Sequence, residues 1–448
     1  MKKLFGTDGV RGVANTELTP ELAMEIGKAG AFALAGHLGR QPKILIGTDT
    51  RVSADMLEAA LVAGLCSVGA EIYKAGVIPS PAMAFLVRHY KMDAGVMLSA
   101  SHNPMPDNGI KFFNNLGYKL SDEVEEEIEM LVADMQKIPR PTGKGVGRSF
   151  FCENAVQDYV DFLQTTTTGN FAGLKIGLDC ANGATYQAAP LIFEKLSADI
   201  HVLHNQPTGF NINVECGSTH LESLQTYVRQ NNLDIGLAFD GDGDRVLCVD
   251  DNGEELDGDA IMAICGLAMA KKGNLKNNTI VATIMSNLGL ELFCKKNNLN
   301  LVRTQVGDRY VIQEMVNHNY NIGGEQSGHI IFSDYNSTGD GILTGLQILA
   351  TLKESGQKLS ELRKIITPLP QVLLSAKLQK RSKVDISQNK NISAAIDEIS
   401  AKLADNGRIL VRASGTEPII RVMIEGDNQP QIQQYAENLV NIIETELK

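Results

Sequence analysis

The sequence predicts an α/β protein made of three related α/β modules and a smaller C-terminal α+β domain. Three segments each lead from an apolar run into a loop of small polar residues that precedes a helical stretch, namely KILIGTDT (43–50), LKIGLDCANG (174–183) and TIVATIMSN (279–287). Strands that alternate with helices in this way are typical of α/β domains. The last part of the chain has the order strand, helix, two strands and helix, which predicts a separate α+β domain. Because any α/β protein contains segments of this kind, the structural similarity of the three modules is a hypothesis.

Two segments mark candidate domain boundaries. QKIPRPTGKGVGRS (136–149) is rich in Pro, Gly and basic residues, and ITPLPQ (366–371) carries two prolines. Such clusters are typical of linkers and exposed loops. With a weaker boundary near residues 252–258, we predict domains at 1–150, 151–254, 255–367 and 368–448.

Local signals place the first two helices. Thr19 is predicted to cap a helix that has Pro20 at its first position and Glu21 in its first turn. Ser53 is predicted to cap the following helix. Both helices then belong to the first module.

The composition is that of an acidic globular protein. Of the 448 residues, 43% are apolar and 21% are charged, and the formal net charge is −12. This composition argues against disorder. Because the chain is acidic and lacks a concentration of basic residues, we expect no nucleic-acid partner. The N-terminal segment lacks the apolar core of a signal peptide, and no apolar run reaches about 18 residues. We therefore expect a cytoplasmic protein without a membrane partner.

The cysteines indicate a reduced protein. The seven cysteines are scattered and include no C-x-x-C pair. Cysteines of this kind in a cytosolic protein are more often core residues than disulfide partners.

Three aspartates at alternate positions predict a metal site. Asp240, Asp242 and Asp244 follow the apolar run IGLAF, and the glycines between them let the backbone curve so that the carboxylates converge. Carboxylates this close repel each other, and a set of oxygen ligands favours Mg²⁺ or Ca²⁺. An EF-hand is improbable because its sixth and twelfth positions would be Arg245 and Asp251 instead of glycine and glutamate. The alternative is an Asp/Gly-rich turn that binds no metal.

The segment SASHNP (99–104) contains a candidate nucleophile. Ser101 follows an apolar strand, in a turn where an exposed serine can act as a nucleophile once it is activated. His102 is its neighbour, but adjacent side chains usually point apart, so a Ser–His relay is not established. No G-x-S-x-G surrounds the serine, which disfavours an α/β-hydrolase. An Asn-Pro turn with a capping serine is the alternative.

The segment RASGTEPIIR (412–421) predicts a phosphate site. Arg412 and Arg421 flank a loop that contains Ser414, Gly415 and Thr416. Backbone N–H groups, hydroxyls and guanidinium groups together suit a phosphate dianion. The alternative is a β-hairpin with solvated arginines.

Two further groups of residues carry weaker signals. In GGEQSGH (323–329), Glu325, Ser327 and His329 lie at alternate positions that suit sugar hydroxyl or amino groups, although a structural turn is equally compatible. Arg11, in FGTDGVRG, and Lys111, in DNGIKFF, are candidates for positive charge near a phosphorylated serine.

Taken together, the motifs resemble those of the α-D-phosphohexomutase family. FGTDGVRG, SASHNP, DGDGDR, GEQSGH and RASGTEPIIR occur in the family's order and span residues 5 to 421. The resemblance implies four domains around a central cleft, three of them similar α/β modules and the fourth a smaller α+β domain. The sequence around GEQSGH is similar to that of family members that act on amino-sugar phosphates. The alternative assignment is a member that acts on mannose and glucose phosphates.

The resemblance also implies a role for each motif. Ser101 would carry the catalytic phosphoryl group and share one Mg²⁺ ion with Asp240, Asp242 and Asp244. His102, Lys111 and Arg11 would assist catalysis. The substrate contacts would come from Arg245, Asp308, Arg309, Glu325, Ser327, His329, Arg412, Ser414, Gly415, Thr416 and Arg421. A hexosamine or hexose 1,6-bisphosphate is the expected activator, the partner is a phosphosugar, and a homodimer is left open.

The implied reaction interconverts glucosamine 6-phosphate and glucosamine 1-phosphate, which feeds amino-sugar nucleotide and cell-wall precursor synthesis. Phospho-Ser101 would donate to the C1 oxygen, and the bisphosphate would turn over and return its C6 phosphoryl group. Lys111, His102 and His329 are candidates for the proton transfer, which the sequence does not rank. A phosphoserine-dependent phosphatase and a non-catalytic sugar-phosphate binding protein are the alternatives from other classes.

Overall fold

The computed structural model describes residues 3–6, 8–35, 38–378, 389–413 and 419–447. The chain divides into two units, one formed by residues up to Met285 with Leu299–Ile365, the other by Ser286–Asn298 with Ile366–Lys448. Each unit has its own fold and core.

The first module of the larger unit is a mixed sheet covered by helices. Its elements are β1 (Phe5–Gly6), β2 (Gly9–Val13), α1 (Pro20–Ala35), β3 (Lys43–Thr48), α2 (Ser53–Ser67), β4 (Glu71–Val77), α3 (Ser80–His89), β5 (Ala94–Leu98), β6 (Asp107–Asn114), α4 (Asp122–Ala133) and β7 (Ser149–Phe151). The strand order is β1-β2-β6-β5-β3-β4-β7. The central β5, β3 and β4 are parallel, and β6 is antiparallel to β5. Ile46 and Val96 of the parallel strands are fully buried, as expected for strands covered on both faces.

The two predicted helix caps have different outcomes. Thr19 Oγ1 accepts a hydrogen bond from the backbone N–H of Leu22 at 3.2 Å, as predicted for the start of α1. The prediction for Ser53 is wrong, because α2 begins at Ser53 itself and its hydroxyl accepts from Asn108 Nδ2 at 2.9 Å. A partner 55 residues away therefore takes the hydroxyl that local sequence assigned to the helix end.

The second module has the same topology. Its elements are α5 (Ala155–Thr165), β8 (Lys175–Asp179), α6 (Ala188–Lys195), β9 (Asp199–Leu203), α7 (Glu222–Asn231), β10 (Ile235–Phe239), β11 (Val246–Asp250) and β12 (Glu255–Leu256). The strand order is β12-β11-β10-β8-β9. β9, β8 and β10 are parallel, and β11 is antiparallel to β10.

The third module repeats this order. Its elements along the chain are α8 (Gly258–Lys271), β13 (Thr279–Thr283), α9 (Leu288–Lys296), β14 (Asn300–Thr304), α10 (Asp308–His318), β15 (Ile322–Gly324), β16 (Ile330–Phe332), α11 (Gly341–Ser355) and α12 (Leu359–Leu362), of which α9 belongs to the smaller unit. The strand order is β14-β13-β15-β16, and β16 is antiparallel to the otherwise parallel set.

The three modules therefore share one strand order, β6-β5-β3-β4, β11-β10-β8-β9 and β16-β15-β13-β14. In each module a turn connects a parallel strand to its antiparallel neighbour, and this turn contains a motif identified in the sequence. These turns contain Ser101 after β5, the aspartate triplet after β10 and Glu325 after β15. The prediction of three similar α/β modules is confirmed.

The smaller unit is an antiparallel sheet with helices packed against it. Besides α9 it contains β17 (Gln371–Lys377), α13 (Lys390–Leu403), β18 (Gly407–Ala413), β19 (Ile419–Gly426) and α14 (Gln429–Glu446). The strand order is β17-β19-β18, and both pairings are antiparallel. The alternating Ile420, Val422 and Ile424 are fully buried and join a core with α14, which confirms the predicted α+β domain. Glu425 Oε2 accepts from the backbone N–H of Leu288 at the start of α9, at 3.0 Å.

All seven cysteines are free, in agreement with the expectation of a reduced protein. Within the described ranges, no helix is both long and apolar enough to cross a membrane.

A buried carboxylate at the start of α11 predicts a pH-dependent stability. Asp340 Oδ1 caps the helix by accepting from Leu343 N, and both carboxylate oxygens accept from the Tyr159 hydroxyl at 2.8 and 2.9 Å. Burial raises the pKa of Asp340 to about 6. In the unfolded chain the carboxyl of Asp340 titrates near pH 4, so between about pH 4 and 6 the folded state holds a proton that the unfolded state has lost. The stability of the folded state therefore falls as pH rises through that range. The loss at neutral pH is on the order of 3 kcal/mol.

We expect Asp340→Asn to flatten the dependence of the thermal midpoint on pH between about 4 and 6.5. The matched control is Asp334→Asn, which removes a carboxylate that is 41% exposed. Parallel curves for the wild type and Asp340→Asn would contradict the assigned titration.

Candidate active site

Ser101 occupies a strained position in the turn after β5. Its φ angle is +53°, in the left-handed region, and its side chain is 1% exposed. A non-glycine residue in this conformation costs on the order of 1–3 kcal/mol, and such strain is typical of functional turns. The hydroxyl donates to Asp240 Oδ2 at 2.6 Å. The structure thus joins two motifs that are 139 residues apart.

The aspartate triplet forms one buried cluster in the turn from β10 to β11. A carboxylate oxygen of each of Asp240, Asp242 and Asp244 lies within 4.8 Å of the others. Gly243, at φ +72°, curves the backbone so that these alternate side chains converge. Among the described residues, Asp242 Oδ1 and Asp244 Oδ1 are buried and have no hydrogen-bond partner. Orphaned carboxylate oxygens in a set of hard oxygen donors fit Mg²⁺.

The charges around the triplet are unequal. Burial, together with the charges of Asp244 and Asp242, raises the pKa of Asp240 well above its usual range. Burial also opposes ionisation of Asp244, but His329, Lys111 and Arg245 outweigh it and hold the pKa of Asp244 well below its usual range. The negative charge of Asp244 thus opposes the ionisation of Asp240, as expected for carboxylates that face each other.

Two predicted cations lie on β6 and β2; the first contacts the same cluster, and both pair with Asp8. Lys111 is 2% exposed, and its Nζ donates to Asp242 Oδ2 at 2.7 Å and lies 3.1 Å from Asp8 Oδ2. Burial opposes the charge of Lys111, but the carboxylates of Asp242 and Asp8 raise its pKa, so the amine stays protonated. Arg11 pairs with Asp8 and donates from Nη1 to Asn103 Oδ1 at 3.2 Å.

His102 lies closer to the hydroxyl of Ser101 than its position in the sequence suggested. Its Nδ1 is 3.3 Å from Ser101 Oγ and 3.3 Å from Arg245 Nη1. The left-handed backbone of Ser101 removes the alternation of neighbouring side chains that a strand would impose. Burial and the charges of Arg245 and Arg11 lower the pKa of His102 to about 4. The imidazole is therefore neutral at pH 7, and one of its nitrogens can accept a hydrogen bond.

His329 and Asp308 extend the network beyond the aspartate triplet. His329 is 2% exposed, with Nδ1 3.4 Å from Asp244 Oδ2 and Nε2 3.6 Å from Asp308 Oδ2. Its Nε2 also accepts from the backbone N–H of Gly339 at 3.0 Å. Asp308, at the start of α10, pairs with Lys119 at 2.6 Å. Both imidazole nitrogens of His329 thus have protein partners.

The remaining predicted residues of the larger unit differ in their surroundings. The backbone N–H of Arg245 donates to Asp240 Oδ1 at 3.1 Å, and Asp244 and Asp240 raise the pKa of its guanidinium against the effect of burial. Glu325 Oε1 accepts from Gly307 N at 3.2 Å. Ser327 is exposed.

Arg309, a predicted substrate contact, forms an ion pair within the protein. Its guanidinium pairs with Asp122 at the start of α4 and lies 4.9 Å from the ring of Tyr310. Its presence in the substrate set stays a prediction.

Two arginines of the predicted phosphate site face each other in the smaller unit. Arg412 of β18 and Arg421 of β19 are directly paired across the antiparallel ladder. Burial and the charge of Arg421 lower the pKa of Arg412. Like charges directly opposite in a sheet are unfavourable, and an anion offsets that repulsion. Ser414, Gly415 and Thr416 lie outside the described residues.

Sequence reasoning missed three residues of the network. Asp8 accepts from Lys111, Lys119 and Arg11, although it lies inside the quoted motif FGTDGVRG. Ser80, at the start of α3, donates to Asp242 Oδ2 at 2.5 Å. The motif could have indicated Asp8, whereas no local signal distinguishes Lys119 or Ser80 from surface residues.

The chain has three repeated α/β modules, with a serine after β5 of the first and an aspartate triplet after the equivalent strand β10 of the second. This arrangement defines the class of the phosphohexomutases. The sequence matches four family models in succession, phosphoglucomutase/phosphomannomutase alpha/beta/alpha domains I, II and III and the C-terminal domain, at residues 2–138, 157–253, 257–369 and 373–442. The chain belongs to the phosphoglucomutase/phosphomannomutase family, which confirms the family predicted from the motifs.

Known proteins of this family resemble the chain over its full length. The phosphoglucosamine mutases of Acetivibrio thermocellus and Ruminiclostridium cellulolyticum are each 54% identical over 448 residues, 100% of this chain and of the relative. A phosphoglucomutase/phosphomannomutase family protein of Burkholderia thailandensis is similar in structure, with a TM-score of 0.82, 20% identity and coverage of 99% of this chain and 98% of its own. An N-acetylphosphoglucosamine mutase of Aspergillus fumigatus, solved with GlcNAc-6P and magnesium, has a TM-score of 0.71, 18% identity and coverage of 99% and 96%.

Proposed function

We propose that the chain is a phosphoglucosamine mutase that interconverts glucosamine 6-phosphate and glucosamine 1-phosphate, as an intramolecular phosphotransferase of the isomerase class. The observation that carries the chemistry is the buried hydroxyl of Ser101, 2.6 Å from a carboxylate of the aspartate triplet. The amino-sugar specificity is supported by full-length relatives of that name. The product would supply amino-sugar nucleotide and cell-wall precursor synthesis.

Asp240, Asp242 and Asp244, together with a phosphate on Ser101, would hold one Mg²⁺ ion. The orphaned, buried oxygens of Asp242 and Asp244 fit a hard cation. When bound, the ion supplies Lewis-acid neutralisation of the charge on the phosphoryl oxygens.

The side chains around Ser101 supply position and charge for the transfer. Phosphoryl transfer depends on in-line placement and on neutralisation of oxygen charge more than on covalent help. Arg245, Arg11 and Lys111 would contribute fixed positive charge near the transferring group. As phospho-Ser101 donates to the C1 oxygen of glucosamine 6-phosphate, that hydroxyl loses its proton and the serine oxygen gains one. In the second half, Ser101 takes the C6 phosphoryl group of the bisphosphate.

His102 is the proposed group for the proton exchange at Ser101. Its neutral imidazole lies 3.3 Å from Ser101 Oγ. Lys111 stays charged between two carboxylates, and both nitrogens of His329 are already engaged. His102 is therefore the best placed of the three candidates to exchange a proton.

The substrate set and the surroundings of the enzyme complete the proposal. Arg412 and Arg421, with the loop between them, would grip the phosphate that is not transferred. Glu325, Ser327 and His329 would contact the sugar, with Asp308 and Arg309 in the neighbouring turn. A hexosamine or hexose 1,6-bisphosphate would prime Ser101, and the enzyme would act in the cytoplasm. The domain boundaries at 150, 254 and 367 stay part of this proposal.

The decisive test compares initial rates on glucosamine, glucose and mannose 6-phosphates, with Mg²⁺ and a catalytic amount of glucose 1,6-bisphosphate. We expect a preference of at least tenfold in kcat/KM for glucosamine 6-phosphate, since a site built to bind an amino group discriminates strongly against analogues that lack it. Phosphorus NMR of the reaction mixture identifies the 1-phosphate.

Two results would contradict the assignment. A preference for mannose or glucose phosphate would make the chain a phosphomannomutase/phosphoglucomutase. Release of inorganic phosphate, without any 1-phosphate and without dependence on the bisphosphate, would make it a phosphatase.

A further inference from the structure

A single buried arginine accounts for the backbone path of the turn that carries Ser101. Arg51, 2% exposed, lies in the loop between β3 and α2. Its Nη2 donates to the carbonyl oxygens of Ser101 and Asn103 at 2.9 and 2.8 Å. Its Nη1 donates to those of Pro104 and Asp107 at 2.6 and 3.1 Å. The fixed fork of a guanidinium group is thereby matched to four carbonyl acceptors between residues 101 and 107.

The same arginine is fixed from the other side by Asp49. Arg51 Nε donates to Asp49 Oδ2 at 2.9 Å, which uses the fifth N–H of the guanidinium group. The Ser99 hydroxyl donates to Asp49 Oδ2 at 2.6 Å and accepts from the backbone N–H of Ser101 at 2.9 Å. The N–H and the carbonyl of Ser101 are both tied to this group, which explains how its left-handed backbone is maintained.

The second module closes the turn from the opposite direction. Asn213 Nδ2, in the loop after β9, donates to the carbonyl oxygens of Ser101 and Asn103 at 2.8 and 3.1 Å. A Cβ on Gly241, next to the triplet, would lie 2.5 Å from the carbonyl oxygen of Ser101. The loop of the aspartates is thus in direct contact with the backbone that Arg51 holds.

We propose that Arg51 is a positioning residue for phosphoryl transfer. With Asp49 and Ser99 it holds the backbone of Ser101 so that the hydroxyl faces the aspartate triplet. Its N–H groups end on backbone carbonyls and on Asp49, so it acts through geometry and adds no free charge for the phosphate. The inference rests on the proposed function, in which Ser101 accepts the phosphoryl group.

The first half-reaction isolates this role. Dephosphorylated full-length protein is mixed with Mg²⁺ and glucose 1,6-bisphosphate, and mass spectrometry follows the gain of phosphate on the Ser101 peptide. In this step the serine oxygen attacks phosphorus, the P–O bond to the sugar breaks, and the sugar oxygen takes the proton. We expect Arg51→Lys to slow the step about 10²-fold, because a misplacement of about 1 Å costs that much. Ser99→Ala, which removes one link, should slow it about tenfold.

A role in positioning predicts lower kcat with KM for the sugar phosphate unchanged within about twofold. The matched control is Arg40→Lys, at an arginine of the same module that is half-exposed and paired bidentately with Asp93, and it should leave both constants unchanged. If Arg51→Lys fails to fold, as judged by its thermal melt, Ser99→Ala decides the question.

Phosphate gain within about twofold of the wild type in the folded variants would overturn the inference, as would a raised KM at unchanged kcat. A wild-type protein that gains no phosphate would instead contradict the proposed function, so the two failures are distinguishable.

Discussion

Ser101→Ala is expected to lower mutase turnover by on the order of 10³-fold or more, because the phosphoryl group then has no serine oxygen to occupy. The side chain is 1% exposed and donates to Asp240, so its truncation leaves the arginines and the sugar-contacting residues in place. We therefore expect the affinity for glucosamine 6-phosphate, measured by isothermal titration calorimetry, to change by less than about threefold.

Ser67→Ala is the matched control for this variant. Ser67 is a half-buried serine of the same module, and its hydroxyl donates to the backbone oxygen of Gly64 at 2.7 Å. It should retain wild-type turnover. Mutase activity retained in Ser101→Ala would refute the assigned nucleophile, and phosphate found by mass spectrometry on another residue would identify its replacement.

Asp240→Asn is expected to weaken Mg²⁺ binding and to lower turnover by about 10²- to 10³-fold, the effect of losing several kcal/mol of charge stabilisation. The replacement keeps the shape of the side chain but removes one of three converging carboxylates. Asp240 Oδ2 accepts from the Ser101 hydroxyl and Oδ1 from the backbone N–H of Arg245, and an amide can accept at only one of these two atoms. Titration of the metal-free protein with Mg²⁺ by calorimetry measures the binding separately from turnover.

Asp251→Asn provides the control for the metal site. Asp251 lies just after β11 of the same module and accepts from the backbone N–H of Ser360 at 3.0 Å. Its loss should leave Mg²⁺ binding unchanged. Equal Mg²⁺ affinity in Asp240→Asn and the wild type would contradict the assignment of the triplet, and EDTA treatment that leaves turnover intact would do the same.

Much of the fold was predictable from local sequence. The repeated passage from an apolar run to a polar loop predicted three related modules, and the shared strand order confirms them. The order strand, helix, two strands and helix predicted a separate α+β domain, and the smaller unit has this order, with Ile420, Val422 and Ile424 in its core. These predictions succeed because side-chain periodicity depends on the local backbone and on one buried face.

The failures share a physical cause. Ser53 was assigned to a helix end, but its hydroxyl is used by Asn108 from another strand. The sequence did not establish a contact between Ser101 and His102, because adjacent side chains usually point apart, but the left-handed backbone of the serine brings the two side chains within 3.3 Å. In both cases tertiary contacts decide which of several local options a polar group takes.

The sequence by itself determined the chemistry available to this protein: a serine at a strand end, three alternate aspartates, paired arginines and the order of the motifs. Only the tertiary structure decided which of these groups meet. Ser101 and Asp240 are separated by 139 residues and Lys111 and Asp242 by 131. The first contact joins the equivalent turns after β5 and β10, and the second joins β6 to the turn after β10. No local signal in the sequence marks Arg51 or Lys119, because a buried charge is recognisable only from the partners that surround it.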